Sequence, residues 1–136
     1  MDIGTHIVAD LFEIPTETFT KYLSKENYDI FDEIIEKTLR ENNMTLLNKC
    51  IHHFEHPNFE GAFTSIYLLS ESHLSLHSWP EHEYIAMDVF TCGDGNAYNI
   101  VNEIIHLLKP GNISKKVVER GIPNKQTDYD YDFRDG

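Results

Sequence analysis

The nine residues Gly4–Phe12 (GTHIVADLF) are dense in β-branched and aromatic side chains and predict a first strand. The period then lengthens. Between residues 28 and 41, Phe31, Ile34, Ile35 and Leu39 recur at helical spacing among Asp32, Glu33, Glu36 and Lys37, which predicts an amphipathic helix ending near Asn42 and Asn43. Four further strands are predicted over residues 44–54, 63–70, 73–79 and 84–92, before Gly93, Asp94 and Gly95 break the pattern. Val101, Ile104, Ile105 and Leu108 then fall at i, i+3, i+4 and i+7, a second helix that Pro110 and Gly111 stop. Residues 113–119 supply a last strand. Residues 121–136, with Asp128, Asp130, Asp132 and Asp135, read as an irregular acidic tail to which no chemistry is assigned. Strands in runs, joined by short connections and accompanied by two helices, predict an α+β fold: a two-layer sandwich of an antiparallel sheet with helices on one face. The uncovered face is then a natural surface for self-association.

A length of 136 residues fits one domain, residues 1–136, with no room for a separate cofactor-binding unit. No apolar run approaches the roughly 18 residues of a membrane span. The opening Met1, Asp2, Ile3 and Gly4 lacks a basic region followed by an apolar stretch, so the expected location is cytoplasmic. Two cysteines, Cys50 and Cys92, form no CxxC pair and argue against a disulfide scaffold or a zinc knuckle. The 23 acidic and 11 basic residues give a net charge of −12, which argues against a nucleic-acid or anionic-membrane partner. Such a surface attracts cationic ligands, although most acidic surfaces serve only solubility.

The reactive side chains concentrate in residues 69–81, LSESHLSLHSWPE, followed eleven residues later by Cys92. On a strand, His73, Ser75 and His77 share one face and Leu74 and Leu76 the other. A hairpin through residues 80–83 would return Cys92 beside residues 72–77. Three readings of these residues stand open. A metal site from His73, His77 and Cys92 is disfavoured, because two histidines four apart on a strand are about 13 Å apart. Nucleophilic catalysis by Ser72, Ser75 or Cys92 would need a histidine base within hydrogen-bond reach. In the third, the histidines are ordinary solvated sheet residues and Cys92 a small core residue.

The run SESHLSLHSWPE, with YIAMDVFTCGD behind it, resembles the processing and active-site segment of the prokaryotic S-adenosylmethionine decarboxylases, whose pattern is close to ESHxSxHTWPE and then FTCG. Ser78 stands where that pattern has threonine. GTHIVADLF is similar to the family's opening strand, and the order of elements agrees over roughly residues 4–120. The resemblance implies self-cleavage between Glu71 and Ser72 into a β chain, 1–71, and an α chain, 72–136, that begins with a pyruvoyl group made from Ser72. It assigns His77 to proton abstraction during processing and matches Thr64 to an upstream processing hydroxyl, with Ser65 adjacent as an alternative. The cofactor would form a Schiff base with the substrate amine and accept the electrons released with carbon dioxide. Cys92 matches the donor that returns a proton to the substrate.

For substrate binding, the resemblance matches Glu81 to the glutamate that holds the ribose hydroxyls, and Phe54 and His77 to the rings that enclose adenine. No metal is implied; a dimer of cleaved αβ protomers is. Two departures lie near the pocket. The segment FEHPNFEGAFT, residues 54–64, is longer than in the family, so Phe59 or Phe63 are alternatives to Phe54 for stacking, and Glu83 stands where the family has glycine. The expected reaction is therefore decarboxylation of S-adenosylmethionine for polyamine synthesis. Its alternatives are a pyruvoyl-dependent ornithine or arginine decarboxylase on the same scaffold, and a non-catalytic regulatory or binding homologue.

Overall fold

The computed structural model describes residues 3–93 and 95–123; the aspartates assigned to the tail lie outside them. Six strands form one sheet: β1 (Gly4–Phe12), β2 (Leu46–His53), β3 (Phe63–Leu69), β4 (Ser72–Trp79), β5 (Tyr84–Cys92) and β6 (Asn112–Arg120). Their spatial order is β2-β3-β4-β5-β1-β6, and every neighbouring pair is antiparallel. The chain thus runs as a meander from β2 to β5. The first strand fills the gap between β5 and the last.

Helices α2 (Tyr28–Glu41) and α3 (Ala97–Leu108) cover one face, as the two helical patterns predict. Phe31, Ile35 and Leu39 of α2, and Ile100, Val101, Ile104 and Leu108 of α3, are buried with Ile7, Ala9, Leu74, Leu76, Met87 and Val89 of the sheet. Each such side chain contributes about 1.5–3 kcal/mol of transfer free energy, offset largely by lost chain entropy. Strict alternation on β4 and β5 turns the intervening residues His73, Ser75, His77, Asp88, Phe90 and Cys92 toward the opposite, helix-free face.

The sequence pattern did not resolve a short helical segment, α1 (Thr16–Thr18), which continues as a π-helical turn over Phe19–Leu23. It is too short to show a period, yet it buries Phe19 and Leu23. Strand β2 is also shorter than expected. Asn43 adopts a left-handed conformation (φ 65°) and the amide of Met44 returns to the carbonyl of Leu39 at 2.9 Å, so the end of α2 consumes residues that read as strand. At the edge, Lys49 of β2 bonds both Asp32 and Glu36, tying the strand to α2.

Ser78, which stands where the resembled pattern has threonine, is a buried structural residue. Its hydroxyl accepts from the amide of Phe63 at 2.9 Å and donates to the carbonyl of Gly61, anchoring the return of residues 54–62 to the sheet. Either hydroxyl residue meets that need. Ser78→Ala would leave a buried amide unpaired and is expected to cost about 1–3 kcal/mol, read as a lower thermal midpoint. Ser78→Thr should retain most of the stability.

Candidate active site

The turn between β3 and β4 consists of two residues, Ser70 and Glu71, because Leu69 pairs with Ser72 across it. Glu71 is held at φ 61°, a left-handed conformation that costs a residue with a Cβ about 1–2 kcal/mol. Cys92, the last residue of β5, lies against this turn. Its backbone amide donates to the Oγ of Ser72 at 3.1 Å and its thiol donates to the carbonyl of Glu71 at 2.9 Å. One residue therefore grips both the hydroxyl and the carbonyl flanking the Glu71–Ser72 bond. Ser72 itself is almost fully buried.

A second constellation lies at the other end of β4. Thr64 and His77 are directly opposed in the β3–β4 ladder, and the Thr64 hydroxyl lies 3.1 Å from the Nδ1 of His77. They line a cleft of about 300 Å³ together with Phe54, His56, Trp79 and Glu81. That volume is at the small end of the range for ligand sites. Trp79 stacks on Tyr84, which in turn stacks on Phe12, each pair with centroids 5.3 Å apart, so the rim of the cleft is braced across three strands. Burial, helped by a hydrogen bond to Asp10, pushes the Tyr84 phenol up to about 12. The phenol stays neutral near pH 7.

These placements separate several alternatives by position. Ser65 is fully buried on the helix-covered face, whereas the Thr64 hydroxyl lies within hydrogen-bond reach of His77. Phe63 is a core residue packed against Tyr28 and Phe31, which removes it as a stacking platform. Phe54 is about half exposed beside the cleft, and Phe59 packs on His56 at its margin. Glu83 has φ 52° as the closing residue of the turn after Trp79, and the backbone conformation explains why glycine suits that position.

One expectation is corrected. The hairpin through residues 80–83 returns Cys92 beside Ser72, but not beside His77. Ser72 and His77 are five residues apart on one strand, roughly 16 Å at 3.3 Å per residue, and their side chains point to opposite faces. The Ser72–Cys92 pair and the Thr64–His77 pair therefore lie at opposite ends of β4.

Around His73 the sheet collects two residues, His6 and Asp88, that the sequence does not single out. His6 and His73 both stand opposite Phe90 in register, and with Asp88 they place donor atoms within 4.8 Å of one another. Arg120 lies 3.3 Å from the Nδ1 of His6, which leaves the ring proton on Nε2 to bond Asp88. A bound cation would have to displace that proton beside a guanidinium, and histidine ligands ordinarily donate, rather than accept, at their second nitrogen. The cluster is a hydrogen-bonded network rather than a metal centre. His53, behind Phe54, has its Nδ1 buried without a hydrogen-bond partner, and burial holds the ring below the usual imidazole value.

Residues 5–121 match the family model described as S-adenosylmethionine decarboxylase. The chain is similar to the S-adenosylmethionine decarboxylase proenzyme of Hydrogenobaculum sp., 39% identical over 121 residues that cover 88% of this chain and 83% of that one. A proenzyme of the same description from Aquifex aeolicus is 36% identical, over 92% of this chain and 86% of its own. Among solved structures, the adenosylmethionine decarboxylase of Aquifex aeolicus superposes with a TM-score of 0.73 at 30% identity, covering 94% of this chain and 98% of that one.

Proposed function

The chain belongs to the S-adenosylmethionine decarboxylase family, and on that premise we propose that it cuts itself between Glu71 and Ser72 and uses the resulting pyruvoyl group to decarboxylate S-adenosylmethionine, yielding the aminopropyl donor for polyamine synthesis. The observation that carries this reading is the double grip of Cys92 on the Glu71–Ser72 linkage. A thiol hydrogen bond polarises the Glu71 carbonyl toward attack, while the adjacent amide fixes the Ser72 oxygen. The Oγ–C bond forms as the peptide C–N bond breaks, leaving an ester. A base removes the Ser72 Cα proton, the Glu71 carboxylate departs, and water replaces the nitrogen, which leaves as ammonia. Cleavage also frees Glu71 from its left-handed strain.

Ser72 suits this role because it combines a nucleophilic oxygen with a leaving group on Cβ. The pyruvoyl carbonyl supplies an electron sink when formed. Cys92, already seated at the cut, holds a proton at Sγ for delivery to the substrate carbon that loses carbon dioxide. Glu81 accepts from ribose hydroxyls, and Phe54 and His77 offer flat faces to adenine.

The separation of these two pairs makes a second copy of the chain part of this reading. His77 cannot reach the Cα of Ser72 along its own strand, so a two-fold axis through the helix-free face is needed to bring the Thr64–His77 end of one copy to the Ser72–Cys92 end of the other. That face supports the pairing. Val8, Ile66, Leu68 and Val118 on it are 42–51% exposed, an apolar surface without cover in one chain.

Intact mass under denaturing conditions tests the cofactor: two fragments, 1–71 and 72–136 with a blocked new terminus, are expected. Carbon dioxide release from S-adenosylmethionine, ornithine and arginine tests the substrate, and turnover of either amino acid alone would overturn the assignment. Within the processing machinery, Thr64→Ala should slow self-cleavage by about 10²-fold or more, Thr64→Ser should retain it, and Ser65→Ala should leave its rate unchanged. A time course of fragment appearance separates the three. Equal rates for Thr64→Ala and wild type would remove Thr64 from the mechanism.

A further inference from the structure

We propose that His56 is a specificity-determining residue of the cleft, the hydrogen-bond donor that completes recognition of the ribose diol beside Glu81. The inference rests on the reading of this cleft as the nucleoside site. A carboxylate can only accept hydrogen bonds, so Glu81 satisfies the hydroxyl protons of a diol but none of its oxygen lone pairs. A second group that donates is chemically required if those oxygens are to be desolvated without loss.

His56 has the tautomer and the position for it. The amide of Asn58 donates to its Nδ1 at 3.1 Å, which leaves the ring proton on Nε2. The ring is held edge-on against Phe59, with centroids 5.0 Å apart. Its Nε2 lies 3.9 Å from the Oε2 of Glu81, and both residues line the cleft. That spacing is too long for a direct hydrogen bond. A hydroxyl that donates to the carboxylate at about 2.7 Å and accepts from the imidazole at about 2.9 Å holds the two about 4.5 Å apart, so a parting of roughly half an ångström seats it between them. The turn that places His56 lies in residues 54–62, which the hydroxyl of Ser78 anchors to the sheet through Gly61 and Phe63.

The test compares His56→Phe, which keeps a ring against Phe59 but removes the donor, with His56→Gln, whose amide nitrogen can stand near the Nε2 position. Against S-adenosylmethionine, His56→Phe should raise KM about tenfold with kcat within twofold of wild type, and His56→Gln should recover most of the loss. With the 2′-deoxy and 3′-deoxy analogues, one of the two should show no difference between wild type and His56→Phe, which identifies the hydroxyl that bridges to the imidazole. An unchanged KM for His56→Phe, or an equal penalty on both deoxy analogues and the parent substrate, would overturn the proposal. Wild-type protein that neither self-cleaves nor turns over S-adenosylmethionine would instead overturn the functional reading beneath it. If His56→Phe remains uncleaved, calorimetric Kd values for adenosine and its two deoxy forms make the same comparison without turnover.

Discussion

Ser72→Ala is expected to yield a single unbroken chain with no measurable carbon dioxide release, a rate loss of more than about 10⁶-fold, the lower end of enzymatic acceleration. Alanine supplies neither an oxygen to attack the Glu71 carbonyl nor a group on Cβ that can leave, so both processing and the electron sink vanish together. The fold should survive. Ser72 is buried, and its Oγ accepts from the amide of Cys92, so the substitution forfeits one hydrogen bond and costs about 1–3 kcal/mol. A thermal midpoint a few degrees below that of the wild-type precursor, with one mass in place of two, is the expected signature. Cleavage of Ser72→Ala at the same bond would show that an outside protease makes the cut, and the pyruvoyl reading would then fail.

Ser72→Ala and His77→Ala, each inactive alone, are expected to restore activity when co-expressed in one cell. The prediction follows from their separation of five positions along β4, roughly 16 Å of strand that neither side chain can span. In a mixed dimer, the Ser72→Ala copy still carries an intact Thr64–His77 end, and the His77→Ala copy still carries Ser72 and Cys92. One of the two composite sites is then complete. Random pairing makes half the dimers mixed, each with one good site of two, so roughly a quarter of wild-type activity should return. The readout is both carbon dioxide release and the appearance of fragment 72–136 from the His77→Ala copy, which an affinity tag on that copy distinguishes. If no fragment appears, His77 acts within its own chain and the composite site fails; cleavage of the His77→Ala copy expressed alone would instead remove His77 as the base.

How legible each part was depended on how far its determinants lie apart in the chain. Strand β1, helix α2 and strand β5 span the residues their own periodicity predicts, because a hydrophobic pattern of period 2 or 3.6 over nine or more residues commits a segment to one buried face. The π-helical turn at Phe19–Leu23 was not legible, since five residues carry too few repeats and its burial is set by partners elsewhere. The start of β2 was placed two residues early for a related reason. Met44 reads as the start of a strand until the Leu39 carbonyl claims its amide.

The candidate chemistry divides in the same way. The residues proposed to carry it were legible in the run from Glu71 to Glu81 and in Cys92 only through the resemblance of that run to the family's pattern. How those residues meet was decided by tertiary structure alone: the β4–β5 hairpin sets Cys92 on the Glu71–Ser72 bond, while the fixed rise of an extended strand holds His77 away from it. The choice of Thr64 over Ser65, the retreat of Phe63 into the core and the meeting of His56 with Glu81 likewise depend on which face of a sheet each backbone presents, a property of pairing between distant segments that no local stretch of chain contains.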